Sequence, residues 1–232
     1  MKSRLVKSIY FFIIAYFCEY FKVDSKENSI YNKAIYSYTH KTALFVKGMI
    51  HMKLMFASDI HGSALFCERM LEAFQREGAE RLCLLGDILY HGPRNDLPEG
   101  HAPKKVIALL NPMKNQLLCV RGNCDTEVDQ MVLEFPVLAD YALIYDQGRC
   151  FYLTHGHHFN PDNLPPLCEG DVLINGHTHV FRAECVNGIH CLNDGSVSLP
   201  KEGKPRSYMI YEDGTFTIKQ LESGEPLLTY SL

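Results

Sequence analysis

Five times in this chain a short apolar run stops at a carboxylate, a carboxamide or an imidazole, and that recurrence constrains the fold more than any other feature. Residues 53–62 read Lys-Leu-Met-Phe-Ala-Ser-Asp-Ile-His-Gly. The run from Leu54 through Ala57 is continuously apolar, as in a strand buried on both faces, and Asp59 and His61 follow where that strand ends. Residues 82–85 run likewise into Gly86-Asp87, and residues 117–120 into Arg121-Gly122-Asn123-Cys124-Asp125. Residues 151–154 run into His155-Gly156-His157-His158, and residues 172–175 into Gly176-His177-Thr178-His179. In open α/β sheets ligands bind outside the carboxyl ends of the strands. Taken singly, Asp59 reads equally as a helix cap, Gly86-Asp87 as a turn, Gly122-Asn123 as a loop cap, and His177 or His179 as a surface histidine. Five such endings, each behind its own strand, have no common explanation of that kind.

The segments between them alternate in period. Residues 63–78 place Phe66, Met70 and Phe74 on one helical face beside Cys67 and Leu71, and close on Gly78, a helix C-cap. A loop over 89–102 leads to a helix over 103–113, opened by Pro103 and apolar at Val106, Ile107, Leu109 and Leu110. A short helix is expected over 128–133. Strand, helix, strand, helix, strand predicts a parallel sheet. The second half predicts strands over 141–145, 150–154 and 172–175, a hairpin at Asn187-Gly188, and strands over 207–211 and 215–219 meeting at Glu212-Asp213-Gly214. The expectation is one α/β domain of sandwich type spanning 52–232.

Charge divides unevenly. Residues 1–51 hold eight Lys/Arg against three Asp/Glu, which leaves 15 against 24, a net of −9, in the rest of the chain. An acidic body argues against bulk nucleic-acid binding. The nine cysteines are scattered singly with no Cys-x-x-Cys pair, so neither a zinc ribbon nor a disulfide framework is expected, and reduced thiols in the cytoplasm are. In the leading residues, Lys2, Arg4 and Lys7 precede an apolar run over 9–18, too short to cross a bilayer, which takes about 20 residues. A short interfacial anchor, a dispensable appendage ahead of Met52 and an upstream start assignment are the readings of residues 1–51. No membrane is expected for 52–232, and a homo-oligomer is compatible with the pattern.

The strand ends together offer Asp59, His61, Asp87, Asn123, His155, His177 and His179. Mixed oxygen and imidazole donors with no thiolate suit catalytic manganese, iron or zinc rather than a closed structural zinc site. The set is large enough for two divalent cations, which need a shared anion to offset their repulsion, and Asp87 is a carboxylate able to bridge them.

In order and spacing, Asp59-Ile60-His61, Gly86-Asp87, Gly122-Asn123-Cys124-Asp125, His155-Gly156-His157 and Gly176-His177-Thr178-His179 resemble the motifs of the calcineurin-like metallophosphoesterases. Within that superfamily the chain is most similar to the small bacterial YfcE-type phosphodiesterases, through His91-Gly92-Pro93-Arg94-Asn95 and Gly195-Ser196-Val197-Ser198 as well. The resemblance spans 52–232 and has no counterpart for residues 1–51. It implies a four-layered α-β-β-α sandwich. It also implies one metal held by Asp59, His61, Asp87 and His179, and another by Asp87, Asn123, His155 and His177. Manganese is the usual ion of the subgroup, with Zn, Fe, Ni or Mg as alternatives.

The chemistry so implied is hydrolysis of a small phosphodiester by in-line attack of a hydroxide bridging the ions, with Asp87 and Asn123 at the reacting centre. Arg94 and Arg121 are candidate substrate contacts, or else structural charges. His157, and less so His158, is a candidate for meeting the leaving group. Cys124 stands where wider relatives carry a histidine thought to protonate it, and reads equally as a buried filler. Asp125 is expected either to orient a ligand histidine or to cap a helix. The rival within enzymes is a phosphomonoesterase or nuclease. The rival of another class is an assembly scaffold of the same fold, but such relatives have lost ligands and here the set is intact.

Overall fold

The computed structural model describes residues 52–232; the apolar run 9–18, and with it the anchor and appendage readings, lies outside the described residues. Strand β1 (Lys53–Ala57), helix α1 (Ala64–Glu77), β2 (Arg81–Leu84), helix α2 (Pro103–Leu110) and β3 (Leu117–Cys119) form the expected alternation, with β1, β2 and β3 parallel. The remaining strands are β4 (Ala142–Asp146), β5 (Arg149–Leu153), β6 (Val172–Asn175), β7 (Arg182–Val186), β8 (Ile189–Asn193), β9 (Ser207–Glu212), β10 (Thr215–Gln220) and β11 (Pro226–Ser231). They complete one sheet of order β11-β10-β9-β1-β2-β3 and a second of order β4-β5-β6-β8-β7.

Alternation along β1 shows why two sheets and a helix layer stack. Leu54 and Phe56 join Phe151, Leu153, Ile174, Tyr211 and Phe216 in a cluster shared by both sheets, while Met55 and Ala57 point the other way, to Phe66, Met70 and Phe74 of α1. A strand with both faces covered must be apolar throughout, as β1 is. The outer face of the second sheet is closed differently. Tyr152, Leu173, Ile189 and Cys191 are covered by Phe159, Leu164 and Leu167, from a segment that forms no helix. Pro161, Pro165 and Pro166 remove N–H donors and push their predecessors out of helical backbone, so the segment over this face is coil within the expected two-sheet sandwich.

Helix α1 starts at Ser63, whose hydroxyl accepts the Phe66 N–H at 3.3 Å, and stops at Gly78 in left-handed backbone. Helix α2 gives way at Asn111 to a single 3₁₀ turn, Asn111–Met113, because Pro112 has no N–H to continue the ladder. The helix expected over 128–133 is one turn, α3 (Glu127–Gln130), capped by Thr126 and Asp129. Beyond it the chain bends and leaves helical structure, and Leu133, Phe135 and Val137 are buried. Among the described residues no helix is long and apolar enough to cross a membrane.

Candidate metal centre

Asp59 and His61 follow β1, Asp87 follows β2, Asn123 follows β3, His155 follows β5, and His177 and His179 follow β6. The seven side chains named from the sequence are thus brought to one edge of the sandwich. Five of them sit in left-handed backbone, with φ of 58° at Asp59, 49° at His61, 56° at Asp87, 68° at His177 and 61° at His179. Non-glycine residues adopt this region reluctantly, and it persists where the surroundings dictate it. The bracing is visible: Asp59 N donates to Gly86 O (3.1 Å), His61 N to Asp87 O (2.9 Å) and Gly176 N to His155 O (2.9 Å). Gly122 is required by contact, since a Cβ there would lie 2.1 Å from Asp87 Oδ1.

Nδ1 of His61, His155 and His179 lies 2.8, 2.7 and 2.5 Å from the backbone carbonyls of Tyr90, Leu85 and Leu199. A carbonyl only accepts, so each Nδ1 carries the hydrogen, and each Nε2 faces the centre, where it holds either a second proton or a metal cation. There the donors converge. His61 Nε2 is 3.5 Å from Asp59 Oδ1, 3.7 Å from Asp87 Oδ2 and 3.3 Å from His179 Nε2, which is itself 3.2 Å from Asp59 Oδ1. His155 Nε2 is 3.4 Å from Asp87 Oδ2, 3.1 Å from Asn123 Oδ1 and 3.2 Å from His177 Nδ1. Asp87 Oδ2 is therefore common to two groups of donors, while Asp87 Oδ1 is held by the Cys124 N–H at 2.8 Å.

This donor set fits divalent cations. Neutral imidazole nitrogens facing one another at 3.3 Å repel unless something positive lies between them, and Asp59 Oδ1 is buried with no hydrogen-bond donor. Asp59, His61 and His179 are one group compact enough to hold an ion, Asp59, Asp87 and His155 another, and His61, Asp87 and Cys124 a third. Electrostatics points the same way. Burial opposes charge on Asp59, yet His179 and His61 keep its carboxyl well below the ordinary carboxylate range. Burial likewise disfavours charged His155, but the Asp87 and Asp59 carboxylates outweigh it and push the imidazole up to about 9. Carboxylates that stay ionised and favour positive charge on a neighbouring imidazole attract a competing metal cation as well.

A cleft of about 390 Å³ opens on this centre, lined by Asp87, Asn123, Cys124, His179, Arg94 and Lys201 among others. Arg94 is at its lip. Arg121 is not among the residues lining the cleft and donates from Nε to Asp125 O at 3.3 Å. Lys201, which the sequence reading passed over, is a second exposed cation on the cleft, and its backbone N–H bonds to His179 O. Cys124 is buried, accepts from Asn123 Nδ2 at 3.2 Å, and has its thiol pKa raised by burial and by the neighbouring Asp87. His157 lines a separate cavity of about 200 Å³ on the far side of His177. Burial and the neighbouring His155 push its pKa down to about 4. His158 is exposed, with its ring 4.0 Å from that of His157.

Asp125 does neither of the things expected of it. Its carboxylate accepts the N–H groups of Asp87 (2.8 Å), Ile88 (2.9 Å) and Gly122 (2.8 Å), tying the loop after β2 to the loop after β3, and Thr126 caps α3 instead. Burial pushes its carboxyl up while these three donors oppose the shift.

Comparison with known proteins agrees with this geometry. Residues 52–214 match the family model described as the calcineurin-like phosphoesterase superfamily domain. The chain is 52% identical over 167 residues to Phosphodiesterase YfcE of Escherichia coli K12, covering 72% of this chain and 91% of that protein. It is 25% identical over 170 residues to the Probable metallophosphoesterase YsnB of Bacillus subtilis, covering 68% and 83%. The solved structure of E. coli YfcE superposes with a TM-score of 0.76 at 48% identity, covering 78% of this chain and 99% of that one. With its strand-end ligands and its two stacked sheets, the chain belongs to the calcineurin-like phosphoesterase superfamily.

Proposed function

We propose that the protein is a metal-dependent phosphodiesterase whose centre holds two divalent cations, manganese foremost, sharing Asp87. Asp59, His61 and His179 complete one position, and Asn123, His155 and His177 the other. The observation that carries this reading is Asp87 Oδ2, 3.7 Å from His61 Nε2 and 3.4 Å from His155 Nε2. The similarity to YfcE supports diester rather than monoester as the substrate class. Bound cations supply Lewis-acid polarisation of the phosphoryl oxygens and acidify the attacking water. The chain's own contributions are positional. Backbone carbonyls fix three imidazoles, Asn123 and Asp87 set the floor of the cleft, and Arg94 and Lys201 attract the anionic diester at its mouth. A cleft with these few cations in an acidic body suits a small diester. Turnover of an aryl phosphodiester should appear with added Mn²⁺, vanish with EDTA and return on re-addition. Turnover indifferent to chelation, or confined to monoesters, would overturn the reading.

The lip cations give a separable prediction. Arg94→Ala and Lys201→Ala should each lower kcat/KM roughly three- to tenfold, mostly through KM, since an exposed charge contact contributes about 1 kcal/mol. Arg121→Ala, by contrast, should leave KM unchanged, its guanidinium being committed to the Asp125 carbonyl. Steady-state kinetics on the three variants checks both statements.

We also propose that residues 52–232 are the functional domain and that the protein is cytoplasmic. The described cysteines Cys67, Cys83, Cys119, Cys124, Cys150, Cys168, Cys185 and Cys191 are unpaired thiols, as suits a reducing compartment. A protein lacking residues 1–51 should keep its fold, Mn²⁺ binding and turnover. Loss of soluble expression on truncation, or membrane recovery that depends on residues 9–18, would count for an anchor.

A further inference from the structure

Behind Asp59, on the side away from the cleft, lies a second acid that no part of the mechanism uses. Asp194 follows β8 and is fully buried. Its Oδ1 is 3.0 Å from Ser58 Oγ, and that same hydroxyl is 2.6 Å from Asp59 Oδ2. A serine hydroxyl has one hydrogen to give and two lone pairs to receive with. At 2.6 Å the bond to Asp59 has the length of a hydroxyl donating to a charged carboxylate, so the hydrogen goes there. The third neighbour of Ser58 Oγ, Gly195 O at 3.4 Å, is a carbonyl and brings none. The 3.0 Å contact between Ser58 and Asp194 is then a hydrogen bond only if Asp194 supplies the hydrogen. Asp194 Oδ2 gives an independent argument, because it is buried with no hydrogen-bond partner. A stranded carboxylate oxygen is far costlier there than the carbonyl oxygen of a neutral acid.

We propose that Asp194 is a neutral carboxylic acid donating to Ser58, and that the Asp194–Ser58–Asp59 chain makes Asp194 a positioning residue for the cation at Asp59, a role that rests on the two-cation reading above. Donation into Ser58 Oγ strengthens its own donation onward to Asp59 Oδ2. That oxygen also accepts the His177 N–H at 3.1 Å, so it is held twice. Oδ1 is left as the oxygen available to a cation, and the carboxylate is presented in one orientation. Burial and the charge of Asp59 together raise the Asp194 carboxyl well above the usual range, against a weaker opposing pull from the Ser58 bond and His155.

The test uses the full-length protein, stripped with EDTA and titrated with Mn²⁺, alongside infrared difference spectroscopy. Asp194→Ala and Ser58→Ala should weaken Mn²⁺ binding roughly 10- to 100-fold. Asp194→Asn, whose amide N–H replaces the acid O–H as donor to Ser58, should stay within about threefold of the parent. At neutral pH the parent should show the carbonyl stretch of a protonated carboxylic acid, absent from Asp194→Asn. Absence of that band, or equal Mn²⁺ affinity in the Ala and Asn variants, would overturn the proposal. If the Ala variants do not fold, the infrared comparison of parent and Asn variant decides it alone. If instead the parent binds no Mn²⁺ while the band is present, the metal reading of Asp59 fails and the protonation of Asp194 stands.

Discussion

Asp87→Asn should abolish turnover to within measurement, a loss of about 10³-fold or more, and should lower bound metal, because it removes the charge from the side chain proposed above to be shared by both cations. The substitution is nearly isosteric. An asparagine Oδ1 still accepts the Cys124 N–H now held at 2.8 Å, and Asp125 still ties the backbone of the same loop. The fold should therefore survive, so the lost activity measures charge rather than collapse. A variant with most of its turnover and full metal content by elemental analysis would show that the bridging assignment is wrong.

A steep dependence on the leaving alcohol is the second large effect. Cys124, proposed as one candidate for meeting the departing oxygen, lines the cleft, and its thiol is buried, raised in pKa and a weak hydrogen-bond donor. His157, the other candidate, belongs to the adjoining cavity, not to the cleft that holds Asp87, Asn123 and Cys124. With little acid assistance the leaving oxygen departs bearing charge, and the missing general acid is worth roughly 10²–10⁴-fold. Aryl diesters should accordingly be hydrolysed at least about 10²-fold faster than dialkyl diesters. Cys124→His should flatten the slope, while His157→Ala should leave it as it is. A flat series across leaving-group pKa for the parent, turning steep in His157→Ala, would transfer the acid role to His157.

Much of this cluster was legible because each of its seven candidate ligands lies one to four residues beyond an apolar run, a pattern that survives in one dimension. Asp59, His61, Asp87, Asn123, His155, His177 and His179 were readable on those terms. Asp194 was not, because its partner Ser58 is 136 positions away and only the stacking of the sheet that holds β8 on the sheet that holds β1 brings the two together. Lys201 was missed for a similar reason: it reads as an ordinary surface lysine until the chain after β8 folds back over His179. The carbonyls of Tyr90, Leu85 and Leu199 that set the imidazole tautomers are backbone groups, which side-chain identity does not encode. Asp125 misled because its acceptors' partners are backbone N–H groups on another loop. In the fold, β11 escaped because it opens on Pro226 and, as an edge strand, pairs only with β10. The coil layer over the second sheet was legible in principle, since three prolines between 161 and 166 forbid a helix there.

The ligands come from both sheets: Asp59, His61, Asp87 and Asn123 from the ends of β1, β2 and β3, and His155, His177 and His179 from the ends of β5 and β6. Under the two-cation reading, the free energy of ligation is then also free energy of docking one sheet on the other. Loading stabilises the folded protein by about 2.7 kcal/mol once free metal exceeds its Kd a hundredfold. Depletion relaxes the sandwich along one seam, at the carboxyl ends of β1 and β6, where amide exchange would quicken first. On that reading, a protein short of its cations would be not merely idle but ajar.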